Sequence, residues 1–251
     1  MGFVIFAWVN DRRRCARIFI ATNDGARCTM MLLPMCRVVT AHPAQLILLA
    51  AALLGIVPTL SLSQELEEVT AAGEKAILAQ PGIEVTGAHD ADVTIVEYFD
   101  YNCPYCKRLV PTFQRLLASD HKIAIVYKDW PVLGEVSAYA ARCALAARWQ
   151  GKYLSAHDAL LAGPRLTRDS QVEWTLALAG IDVFRLKQDL AAHDGEISAL
   201  LARNASEAFS LQLNGTPGIL VGRQLMPGGA ELGFFQKLVA AAQQEQSTRA
   251  R

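Results

Sequence analysis

The chain reads as an α/β fold in which a strand, a helix and a second strand come first. About eighty residues of helix are inserted after them, and a last strand and helix close the domain. Three observations predict this. Val93–Phe99 (VTIVEYF) and residues 122–128 (KIAIVYK) are short, apolar and rich in β-branched residues, as buried strands are. Between them Leu109, Phe113, Leu116 and Leu117 recur at helical spacing, so the unit is strand, helix, strand, and its two strands pair naturally in parallel. From residue 132 to about 213 the pattern becomes that of several helices, punctuated by Gly151, Gly163-Pro164, Gly180 and Gly195.

A chain of 251 residues can hold one well-packed domain with an extension, or at most two small ones. Residues 1–63 are read as an N-terminal extension and signal peptide. The apolar run 44–60 (AQLILLAAALLGIVPTL) is followed by Ser61-Leu62-Ser63, with small residues at the two positions a signal peptidase reads, so cleavage before Gln64 is expected. The run is long for a signal core, and an uncleaved membrane anchor is the alternative, although Pro58 favours the signal. A second apolar patch (2–9) and the cluster Arg12-Arg13-Arg14 precede Met30; a true start at Met30, Met31 or Met35 accounts for them.

Residues 64–88 form an N-terminal helix and linker in this reading. Residues 64–79 (QELEEVTAAGEKAILA) look like an exposed, acidic-fronted helix ended by Pro81-Gly82, which is either a surface arm or an oligomerisation helix. The main domain spans 89–245. Within it a kink is expected near Pro111, residues 218–222 form the next strand, Gly228-Gly229 a turn, and residues 231–242 (ELGFFQKLVAAA) an amphipathic closing helix. Residues 246–251 are expected to be a disordered tail.

The whole chain carries 24 basic and 24 acidic residues. Residues 1–63 hold six of the basic and two of the acidic ones, so the exported part carries 18 against 22. That balance argues against a nucleic-acid partner, which calls for a basic face. Export also removes Cys15, Cys28 and Cys36, leaving Cys103, Cys106 and Cys143, which is one pair and one single thiol. Cys143 lies in an alanine-rich stretch and reads as a small buried hydrophobe.

The pair is the chemically telling feature. In Asp100-Tyr101-Asn102-Cys103-Pro104-Tyr105-Cys106-Lys107, Pro104 suits the first position of a helix, which places Cys103 at the helix N-terminus and Cys106 one turn inside. Unpaired amides and the helix dipole there stabilise negative charge, so Cys103 should ionise more readily than a free thiol. A stabilised thiolate is a good leaving group, and the pair can pass between dithiol and disulfide. Half a zinc site or a static bridge are the other readings of Cys-x-x-Cys. Zinc needs further ligands, and His42, His89, His121, His157 and His193 are scattered, so neither a metal nor another cofactor is expected. Glu97 lies inside the apolar strand, on the same face as Ile95 and Phe99. A buried carboxylate is costly, which points to function; a carboxylate reaching solvent or paired with Lys128 is the alternative.

Glu97 six residues before Cys103, the Cys-Pro-Tyr-Cys site, the helical insertion and Thr216-Pro217-Gly218 before a strand together resemble the DsbA-type thiol:disulfide oxidoreductases, over residues 92 to about 242. Residues 99–106 (FDYNCPYC) and 128–134 (KDWPVLG) are most similar to the Com1/ScsC-like branch. The resemblance implies a thioredoxin fold with the helical insertion between the βαβ unit and a cis-proline loop. It implies proton transfer between Glu97 and the buried cysteine. It also implies a cis bond before Pro217, with the backbone of Thr216 free to pair with an extended substrate. Pro104 and Tyr105, between the cysteines, are expected to tune the redox potential and, with Thr216 and Pro217, to form the substrate-binding surface. Tyr105 stands where the best-known members have histidine, which implies a less oxidising couple. The implied function is to introduce disulfides into reduced or unfolded exported proteins in the periplasm or another extracytoplasmic space, with a quinone-linked membrane partner for reoxidation. An oligomeric isomerase or reductase assembled through residues 64–79, and a peptide-binding chaperone with a structural disulfide, are the alternatives.

Overall fold

A computed structural model of the chain describes residues 4–8, 17–21, 67–82 and 84–249. The chain divides into two compact units, residues 1–63 and 64–251. The described part of the first is an antiparallel pair, β1 (Val4–Trp8) with β2 (Arg17–Ala21), in which Phe6 lies opposite Phe19. The apolar run 44–60, its cleavage point, the arginine cluster and the alternative starts lie outside the described residues.

The second unit is built on a six-stranded mixed sheet. Its strands in chain order are β3 (Glu67–Glu68), β4 (Glu84–Gly87), β5 (Val93–Phe99), β6 (Ile123–Asp129), β7 (Gly218–Val221) and β8 (Gln224–Pro227). Across the sheet the order is β3-β8-β7-β5-β6-β4. The expected parallel pair is present, with Ile95 opposite Ile125 and Glu97 opposite Tyr127 on β5 and β6. On its other side β5 runs antiparallel to β7, with Glu97 opposite Ile219. Both faces of the central strands are covered, so their sequences read as continuous apolar runs. Ile95 and Ile125 pack against α2 (Pro104–Ser119) and α8 (Leu232–Arg249) through Leu109, Phe113, Phe235 and Val239. Val96, Tyr98 and Val126 face the opposite way, onto Ile77, Ala208 and Leu213.

The insertion holds five helices: α3 (Glu135–Ala146), α4 (Tyr153–Ala162), α5 (Asp169–Leu178), α6 (Val183–Ala192) and α7 (Asp194–Ser210). A single 3-10 turn at Ala147–Gln150 joins the first two and ends on Gly151 at φ 65, the left-handed conformation that favours glycine. Its core is Ala140, Ala144, Leu145, Leu160, Val172, Leu176 and Leu186, and this core is continuous with Phe99, Tyr101, Cys103 and Cys106. Small alanine side chains let α3 sit centrally, and Cys143 is wholly buried among them.

Three expectations need correction. Residues 64–79 are not one helix: Glu67–Glu68 pair with Leu225 and Gln224, and only α1 (Ala71–Leu78) is helical, starting where Thr70 Oγ1 accepts the Gly73 amide at 3.1 Å. The hydroxyl cap ends the strand and begins the helix. Residues 84–87 are not linker but the edge strand β4, antiparallel to β6. The segment expected to be a disordered tail is helical through Arg249, with Ser247 and Thr248 hydroxyls donating to Gln243 and Gln244 carbonyls, each at 2.9 Å. Strand β8 escaped the sequence reading because only Gly222-Arg223 separate it from β7, so the hairpin looked like one strand and a loop.

Candidate redox site

Helix α2 begins at Pro104 with Cys103 as its N-cap, in extended conformation at φ -72, ψ 116. Proline at the first position has no amide to leave unpaired, and it fixes the φ the helix needs. The helix runs on through Pro111 to Ser119. Cys103 and Cys106 are free thiols, 3% and 1% exposed. The Cys103 Sγ lies 3.2 Å from the carbonyl oxygen of Thr216 and donates to it as a thiol. The Thr216–Pro217 peptide is cis. Thus residues more than a hundred positions apart meet at one atom.

The electrostatics of the two sulfurs diverge. The Cys103 pKa is pushed down to about 5, foremost by the hydrogen bond from the Cys106 thiol and with support from a Thr216 side-chain bond and the Cys106 and Tyr105 amides, against the opposing effect of burial. Cys106 is driven far upward by burial, by donating its proton to Cys103 and by the charge of Glu97. One thiol is therefore a thiolate at neutral pH and the other holds its proton. Glu97 is 2% exposed, and its Oε1 has no hydrogen-bond partner. Burial first, then the charge on Cys103, raises its pKa to about 8. Lys128 does not pair with it. That ammonium, on the opposite face, pairs with Glu207 at 3.1 Å and donates to the Ile77 carbonyl at 3.1 Å, tying α1 to the sheet.

Of the residues singled out from sequence, Cys103, Cys106, Glu97, Thr216 and Pro217 converge. Pro104 and Tyr105 are at the surface beside them, Tyr105 59% exposed. The Arg108 guanidinium stacks over the Tyr105 ring, 4.3 Å from its centroid. Sequence reasoning missed the residues that hold the loop. Asp100 is buried and accepts four bonds: Asn102 N at 2.7 Å and Ser137 Oγ at 2.8 Å on Oδ1, Val132 N at 2.8 Å and Leu133 N at 2.9 Å on Oδ2. Its backbone carbonyl accepts the Cys103 amide at 3.0 Å. A charged residue directly between an apolar strand and Cys-x-x-Cys was the one available sign.

Asn102 grips the backbone of Leu166, donating to its carbonyl at 3.0 Å and accepting its amide at 2.8 Å. Lys107 Nζ donates to the carbonyls of Leu160, Leu161 and Gly163, at 2.7, 3.3 and 3.0 Å, satisfying the end of α4. Behind the loop Tyr153 donates to Asp129 at 2.7 Å, and Tyr101 meets His157 Nδ1 at 3.5 Å. Burial raises Asp129 to about 7 and lowers His157 to about 3, so the histidine is a neutral ring packed on Tyr127, 4.0 Å between centroids. The Asn102, Lys107 and Tyr101 contacts bind the insertion to the redox loop and helix across more than fifty residues of chain. Nothing in local sequence announces them.

Known proteins share this fold. The model of the family described as DSBA-like thioredoxin domain matches residues 94–240. A thioredoxin-like oxidoreductase from Silicibacter pomeroyi DSS-3 is similar in structure with a TM-score of 0.65 and 39% identity, over 68% of this chain and 97% of that one. The catalytic domain of Proteus mirabilis ScsC shares the fold, with a TM-score of 0.61 and 23% identity over 69% of this chain and 96% of that one. Among curated proteins, a Na(+)/H(+) antiporter NhaA 1 of Salinispora arenicola is 30% identical over 161 residues, covering 63% of this chain and 24% of the antiporter. The chain thus spans about a quarter of the length of such curated relatives.

Proposed function

This chain belongs to the family of DSBA-like thioredoxin domains, and on that premise we propose that it is an exported thiol:disulfide oxidoreductase that introduces disulfides through Cys103 and Cys106. The observation that carries the reading is the split between the two buried sulfurs: a thiolate at the helix N-terminus with a pKa near 5, and a partner one turn inside that keeps its proton. In the oxidised enzyme a client thiolate attacks Cys103 Sγ, the Cys103–Cys106 bond breaks, and a client–Cys103 disulfide forms. The departing Cys106 sulfur takes a proton, for which Glu97, protonated below about pH 8, is the buried donor. A second client thiolate then attacks the client sulfur of the mixed disulfide, forms the client's own disulfide and expels Cys103 as a thiolate. Two electrons pass from client to enzyme.

A stabilised Cys103 thiolate favours the reduced enzyme, which supports the oxidase direction over the isomerase and reductase alternatives. Substrate docking is assigned to the Thr216 backbone beside Pro217, where an extended client chain could pair with little side-chain selectivity. Export through cleavage near Ser63, reduced exported proteins as clients and a quinone-linked membrane partner for reoxidation complete the proposal. Residues 64–251, oxidised and mixed with a reduced unfolded protein, should catalyse disulfide formation; a static or chaperone role is separated by Cys103→Ser, which abolishes turnover only in a redox enzyme.

A further inference from the structure

The surface around the dithiol runs against the charge of the domain that bears it. Residues 64–251 hold 22 acidic side chains and 18 basic ones. Yet the groove that opens beside Tyr105, about 670 Å³ in volume, is lined by Arg108 and Arg115 from α2, with Leu109 and Thr112 between them and residues 229–233 as the facing wall. Glu231 is the acidic residue of that lining. Neither guanidinium forms an ion pair with a described residue: Arg108 lies on the Tyr105 ring, and Arg115 Nε donates to the Pro111 carbonyl at 3.2 Å. The floor is tight, since a Cβ on Gly229 would lie 3.0 Å from Leu109 Cδ2, so the groove wall closes directly onto the redox helix.

We propose that this groove selects client segments that carry an acidic side chain within a few residues of the reacting cysteine. The inference rests on the oxidoreductase reading above and adds a substrate class to it. A client sulfur joined to Cys103 puts the neighbouring client residues over the first two turns of α2, because Tyr105 is two residues from Cys103 and Arg108 is one turn further. Arginine offers a planar, two-pronged donor to a carboxylate, and stacking on Tyr105 restrains the guanidinium before the client arrives. A lysine or arginine at the same place in a client meets like charge. Main-chain pairing at Thr216 is indifferent to sequence, so the two arginines supply the discrimination it lacks.

The test uses three single-cysteine peptides that differ only in the residues flanking the cysteine: glutamate, glutamine or lysine. The rate at which each reduces the oxidised protein of residues 64–251 should favour glutamate over lysine by roughly tenfold at low ionic strength, and the ratio should fall towards about one in ~1 M salt, where the screening length is ~3 Å. R108E with R115E should erase or invert the ratio. Both side chains are exposed, and the salt series on the unaltered protein gives a second readout that needs no variant. Serine analogues of the same peptides, compared by fluorescence anisotropy, report the preference as affinity without any exchange. Failure of all three cysteine peptides to react would sink the oxidoreductase reading alone. Equal rates and equal affinities for the glutamate and lysine peptides at low salt would overturn the selection.

Discussion

Replacing Cys103 with serine removes an ionised group whose charge the fold stabilises, and the loss has a pH signature. In the folded protein Cys103 titrates at about 5, foremost because Cys106 donates to its sulfur. In the unfolded chain a thiol titrates at about 8.5. A depressed folded pKa contributes stability that is complete above the unfolded value and is lost as pH falls through the folded one. Between about pH 5 and 8.5 the contribution therefore grows by about 1.4 kcal/mol per pH unit. At pH 7 that is about 2.7 kcal/mol at most; solvent screening at the site mouth reduces it to about 1.4–2.7 kcal/mol. Urea unfolding of the reduced protein and of Cys103→Ser should give the same stability at pH 4.5 after a constant offset, with a gap that opens as pH rises. The same stabilisation raises the reduction potential by roughly 30–60 mV over an unperturbed pair. A gap that stays constant from pH 4.5 to 8 would refute the reasoning, because it would mean that Cys103 is not preferentially ionised in the fold.

Glu97→Gln should slow exchange by about a hundredfold and yet stabilise the protein. Its folded pKa of about 8 lies above the unfolded ~4.3, so the wild-type carboxyl loses stability as pH rises through that window, by about 2–4 kcal/mol at pH 7, and glutamine does not. A variant that is both slow and less stable at pH 7 would count against a buried protonated acid. Asp100→Ala leaves three amides and the Ser137 hydroxyl without their acceptor and should cost about 3–5 kcal/mol, read as a fall in the denaturant midpoint; Ser137→Ala, which removes one of the four donors, should cost about 1 kcal/mol. Residues 64–251 should sediment as a monomer, because the apolar face of α1 is spent on the sheet through Ile77; a stable oligomer would revive assembly through residues 64–79.

The strand, helix, strand unit was legible because each element carries its own local pattern. β-branched runs of seven residues, proline at a helix start and a 3.6-residue apolar spacing need no partner to be recognised. The closing helix was legible for the same reason, although its apolar stripe stops near Ala242, which is why the polar last turns to Arg249 were read as tail. Short elements were not legible. The two-residue strand β3, the edge strand β4 and β8 have little pattern of their own and exist because a neighbouring strand offers them hydrogen bonds.

The same division runs through the site. By itself the sequence determined which sulfurs can pair, that one of them sits at a helix start, and that a carboxylate lies among apolar residues on the adjacent strand, since these are facts of spacing along one or two elements. Only the tertiary structure decided the rest. It set the Thr216 carbonyl 3.2 Å from Cys103 and turned Lys128 away from Glu97 to Glu207. It also gave Asp100 and Asn102 the task of fastening the redox loop to residues 32 to 64 positions away. Burial and hydrogen-bond partners shift a pKa, and both are properties of contacts between distant segments. The chemistry of the pair is therefore written in Cys-Pro-Tyr-Cys as a capacity, while the difference between its two thiols is made by the packing around them.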